Sequence, residues 1–73
     1  MGVDNSMQEL ENFLILKGVD DIDYGIASNI GGVVEVKYWD KNGEKVYLSE
    51  VPIKIDPGVT YFMFKAGSLQ KVS

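Results

Sequence analysis

Trp39, Tyr47, Tyr61 and Met63, interleaved with Lys37, Lys45 and Lys54, are the residues of this chain best suited to chemistry, and that chemistry is binding. Rings and a thioether offer large apolar contact areas, and ammonium groups at the rim select acidic neighbours. The usual catalytic types are missing: the 73 residues contain no histidine, no cysteine and no arginine. General bases, nucleophiles, zinc ligands and anion clamps come mostly from those three types. Carboxylates, lysines and tyrosines can catalyse in a desolvated pocket, but no two carboxylates stand in a recognisable pairing here. Gly31-Gly32 alone does not make a phosphate loop. The sequence therefore predicts no catalysis, no cofactor and no metal.

Three kinds of partner suit the lysine and aromatic set. A protein surface, including a second copy, fits the exposed Trp, Tyr and Met types enriched at interface centres. A nucleotide or single-stranded nucleic acid fits as the alternative, with Trp39 stacking on a base and lysines meeting phosphate. The ordinary reading is a solvated strand face kept soluble by alternating lysine. Asp20, Asp21 and Asp23 form a second cluster. It lacks the glycine and distal glutamate of an EF-hand loop. A solvated strand edge accounts for it, or an acidic inhibitor's docking surface for a basic partner protein. Seven lysines against eleven carboxylates leave a net charge of −4, which argues against duplex DNA. Lysine as the sole cation suggests an AT-rich bacterial or phage origin.

The chain is long enough for one domain, 1–73, with a single small core. Such a core supplies roughly 3–5 kcal/mol, so without cysteine pairs or metal the remaining reinforcement is close packing or a homo-oligomer. The apolar run Phe13-Leu14-Ile15-Leu16 is too short for a signal peptide or a membrane span, which predicts a cytoplasmic protein with no membrane partner. Met1-Gly2 with Ser6 formally matches a myristoylation pattern; a start residue and a helix cap explain it as well.

The elements that must position the binding set follow from period and punctuation. A flexible terminus over 1–5 precedes Ser6-Met7-Gln8-Glu9, which reads as a capping box. Leu10, Phe13 and Leu14 keep helical spacing, so a helix is expected over 7–17, with Gly18 as its left-handed cap. Ile22, Tyr24 and Ile26 then alternate with Asp21, Asp23 and Gly25, predicting a strand with those three on its dry face. A three-residue turn with Gly43 in the bulge position pairs Tyr38 with Val46 and Val36 with Leu48. A two-residue Asn42-Gly43 turn would mix polar and apolar residues on both faces, so the longer loop is preferred.

Val51, Ile53 and Ile55 alternate again but out of phase with Val46 and Leu48, which calls for a bulge or corner at Ser49-Glu50. Pro52 puts this segment at an edge. A turn at Pro57-Gly58 would pair Ile53 with Phe62 and Val51 with Phe64, turning Tyr61 and Met63 outward. A last strand is expected over Leu69 to Val72. The fold expected is α+β: a short N-terminal helix followed by five or six short antiparallel strands. These form a meander over 20–72, as a strongly bent sheet or a small SH3-like barrel. The function expected is a non-enzymatic protein-interaction or assembly module, self-associating through the aromatic face.

Overall fold

A computed structural model describes residues 5–72, with side chains from Met7 onward. Helix α1 spans Asn5–Leu16, and five strands follow: β1 Ile22–Ile30, β2 Val33–Trp39, β3 Lys45–Leu48, β4 Gly58–Lys65 and β5 Ser68–Lys71. The helix starts at Asn5, inside the segment expected to be flexible, and this sets Ser6 within its first turn. The Ser6 side chain and the Met1-Gly2 pattern lie outside the described residues. Glu9, expected to close the capping box, accepts the Lys54 amide at 2.9 Å.

At its other end α1 stops as the sequence predicts. Gly18 has φ 78°, its amide donates to Ile15 O at 3.0 Å, and the Val19 amide reaches Leu14 O at 3.1 Å. This pair of bonds is the Schellman arrangement, and it satisfies carbonyls that the helix leaves open. Val19 then packs against the core beside the helix end.

The strands form one antiparallel sheet in the order β3-β2-β1-β4-β5, open at both ends and not closed into a barrel. The order also departs from the expected meander. Hairpins join β1 to β2 and β2 to β3, but β4 returns to lie beside β1, a Greek-key arrangement. The 49–57 segment makes that crossing and is not a strand. Its expected pairing with Phe62 and Phe64 is replaced by β1, which sets Ile22 opposite Phe64 and Gly25 opposite Phe62.

The crossover remains well anchored. Glu50 takes φ 53°, kinking the chain after β3 so that the Val51 amide still reaches Val34 O at 2.9 Å. That is the bulge the parity of Val51 required. The Ile53 amide bonds Val51 O at 2.8 Å around Pro52, a tight turn that proline's fixed φ favours. Asn29 Nδ2 donates to Ile55 O at 2.7 Å, and its Oδ1 accepts the Gly32 amide at 3.1 Å, tying the β1–β2 turn to the crossover.

The core lies between α1 and one face of the sheet. Leu10 and Leu14 meet Ile22, Val36, Phe62 and Phe64, all fully buried, with Val51 and Ile55 closing the side. Full burial of one such side chain stabilises by about 1.5–3 kcal/mol. Gly25 makes this packing possible, because a Cβ there would stand 2.4 Å from Phe62 Cζ. The Phe62 ring occupies the space over the glycine. α1 and the crossover both cover this same face, so the other face of the sheet has no cover from the described residues.

Candidate interaction face

The uncovered face is set by the strand registers. In the β2–β3 hairpin Val36 pairs with Leu48 and Tyr38 with Val46, as expected, so Lys37 stands opposite Tyr47 and Trp39 opposite Lys45 on the outside. The loop closes with the Gly43 amide on Asp40 O at 2.9 Å, and Asp40 Oδ1 accepts the Asn42 and Glu44 amides. With Phe62 and Phe64 inward, Tyr61 and Met63 point outward. Six of the seven expected residues (Lys37, Trp39, Lys45, Tyr47, Tyr61 and Met63) thus share one face.

Lys54 does not join them. Its place on the face depended on a strand over 51–55, and that segment is instead the crossover on the helix side. Its amide is held by Glu9 of α1.

Tyr24 stands at the centre of the face, where the sequence reading did not put it. The ladder between β1 and β4 slips between Ile22 and Gly25, so Ile22 faces the core while Tyr24 and Ile26 face outward. The glycine inside the strand was the available signal, because an isolated strand glycine often marks a bulge or a close approach. Tyr24 stacks on Tyr61 at 6.0 Å and 19° and meets Trp39 at 5.9 Å and 32°. Lys37 Nζ lies 5.8 Å from the Trp39 ring centroid. Three rings from three adjacent strands therefore form a row with a cation at one end.

Beside the row the face also carries open apolar side chains. Ile30 is 65% exposed, Tyr47 56% and Val59 52%, and Val33, Tyr24 and Tyr61 are also open. A shallow depression of about 300 Å³ is lined by Ile26, Ile30, Val59 and Tyr47 together with Lys37 and Glu35.

The face's two carboxylates are already engaged. Lys65 pairs with Asp23, and this bond raises the lysine pKa. The Tyr47 hydroxyl donates to Glu35, which holds the phenol above its ordinary pKa. Lys37 and Lys45 are left as cations without a carboxylate partner among the described residues.

The aspartate cluster does not converge. Asp20 pairs with Lys41 at 3.2 Å, Asp23 with Lys65, and Asp21 makes a long 3.4 Å contact with the Ala66 amide. Among the described residues no three acidic groups could hold a metal ion. A cleft of about 190 Å³ beside Asp20 and Asp21 is lined by Tyr38, Asp40 and Lys41. Burial, and secondarily Asp40, raise the Tyr38 pKa. No described helix is long and apolar enough to cross a membrane. Compared with known protein families, curated proteins and solved structures, the chain shows no match.

Proposed function

We propose that this chain is a small, non-enzymatic, cytoplasmic module for protein interaction and assembly, and that it works through the outer face of its sheet. One observation carries the reading: α1 and the crossover cover the same face, leaving the Tyr61–Tyr24–Trp39 row and the exposed apolar side chains beside it open. Contiguous exposed apolar surface of this kind marks interaction sites in small soluble domains. The rings would be buried against a protein surface, and Lys37 and Lys45 would select acidic groups at the rim.

Trp39 is the only tryptophan, so its emission reports on the face directly. If a second copy covers the face, emission starts blue and moves red on dilution. Tyr61→Lys is then red at every concentration. Emission that ignores both dilution and Tyr61→Lys removes self-association through this face.

A second reading has one observation in its favour: Lys37 lies over Trp39, and Lys45 pairs with Trp39 across the strands. Such a ring could stack on a base while the lysines hold phosphate. Against this, Tyr24 already lies between Trp39 and Tyr61. Quenching of Trp39 by a short single-stranded oligonucleotide, reversed by salt, would move this reading ahead.

A further inference from the structure

The two edges of the sheet end differently. In β5, Lys65 and Ser68 close a two-residue turn, so the hydrogen-bonded pairs alternate and the main-chain groups of Leu69 point away from β4. The Leu69 N–H is taken, since it donates to Glu11 Oε2 of α1 at 2.8 Å, which leaves Lys71 as the one other outward-facing residue of this short edge. In β3, the loop closes with the Asp40 amide on Glu44 O at 2.9 Å. Tyr38–Val46 and Val36–Leu48 are therefore the hydrogen-bonded pairs, and the main chains of Lys45 and Tyr47 turn outward. Both residues are exposed, and their outward groups have no partner among the described residues.

We propose that a second copy of this chain pairs with β3 antiparallel about a two-fold axis, Lys45 opposite Tyr47 of the second copy and Val46 opposite its own counterpart. The length of the edge argues for a copy of itself. β3 has four residues, bounded by the 40–44 loop at one end and the left-handed Glu50 kink at the other. The regular edge is therefore limited to these four residues, and a second β3 offers the same length and the same outward groups.

Charge selects the register. A two-fold pairing through Lys45 sets lysine against lysine, and one through Tyr47 sets Glu44 against Glu50. The Lys45–Tyr47 register opposes no like charges. It also brings each Lys45 beside the other copy's Tyr47 and the Glu35 carboxylate bonded to it. Each Lys45–Tyr47 pair exchanges both N–H···O bonds, and the two sheets merge into one. The aromatic faces would then be continuous across the axis, giving a binding surface of twice the length.

Sedimentation of the full chain over a wide dilution series tests this, with a monomer–dimer equilibrium expected. Lys45→Pro removes an outward N–H that the β2–β3 ladder does not use, so far-UV circular dichroism should be unchanged. The dimer dissociation constant should rise about 30-fold, the effect of two lost hydrogen bonds. Lys45→Thr keeps the N–H and isolates the contribution of the charge. A wild type monomeric at all concentrations overturns the proposal. So does a dimer indifferent to Lys45→Pro.

If Lys45→Pro fails to fold, single cysteines in this cysteine-free chain decide. Val46→Cys should form a disulfide dimer under mild oxidation, since non-hydrogen-bonded partners sit about 4.5 Å apart at Cα. Tyr47→Cys should not, being offset from its counterpart. The reverse outcome, or equal cross-linking, overturns the register. Tyr61→Lys lies three strands from this edge and should leave the edge dimer intact, which separates failure of the face from failure of the edge.

Discussion

The two faces of this sheet carry aromatic side chains in nearly equal measure but use them in opposite ways. Inward, Phe62, Phe64 and Tyr38 pack against α1 and the crossover and are closed to water. Outward, Tyr24, Tyr61 and Tyr47 remain open, with Trp39 half-buried among them. The inner rings are held by shape, with Phe62 occupying the space over Gly25. The outer rings are held by each other and by polar tethers, such as Tyr47 to Glu35. Aromatic content therefore does not distinguish core from site here. What distinguishes them is whether a second layer of chain can reach the ring, and the described residues provide only one such layer.

Substitutions at adjacent positions of β1 test that contrast most severely. Gly25→Val drives a side chain into the Phe62 ring and is expected to cost more than about 3 kcal/mol, most of a small core's reserve. Tyr24→Ala, one residue away on the other face, should cost only about 1 kcal/mol of folding stability, the value of its ring contacts. Urea unfolding of both variants measures the ratio, and equal losses would mean the faces are not distinct. At the β5 edge, Glu11→Ala leaves the Leu69 amide without its carboxylate and is expected to cost about 1.5–2 kcal/mol. Faster amide exchange at Leu69 should accompany it.

The alkaline limb of stability draws on both faces. Tyr38, Tyr47 and Lys65 all have raised pKa values in the folded chain. Each favours the protonated form on folding, so its contribution is complete below the ordinary value of the group. That value is 10.0 for tyrosine and 10.5 for lysine. Stability should hold to about pH 9 and fall as pH rises through the raised values. Tyr38→Phe should flatten the fall, measured by denaturation midpoints across alkaline pH. The smallest effect expected is a gain. Ala66 sits at φ 54° in the β4–β5 turn, a conformation that asparagine tolerates better. Ala66→Asn should add about 0.5–1 kcal/mol, read as a raised midpoint.

Features governed by neighbours in sequence are legible in the residues themselves. The α1 stop at Gly18, the β2–β3 register and the kink at Glu50 follow from local period or punctuation, whereas the outward turn of Tyr61 and Met63 was expected from a pairing with 51–55 that β1 replaces. What was not legible is partner choice. Alternation in 51–55 showed that Val51 and Ile55 would be buried, and they are. It could not say whether they would pair with β4 or lie across the sheet as a crossover. The same gap misplaced Lys54 and hid Tyr24, because the slip in β1 depends on Phe62, a residue far along the chain.

The crossover also has a consequence in time. β1 is the middle strand, yet one of its sides is completed only by β4, which pairs Gly58 with Asn29 and Phe64 with Ile22. The three N-terminal strands can fold locally, as two hairpins in succession, within microseconds. Closing the other side of β1 must await a long loop, and such non-local pairings dominate folding times. During synthesis β1 emerges well before β4, presenting an unpaired central edge. That interval, rather than the finished fold, is when this chain is most exposed to aggregation.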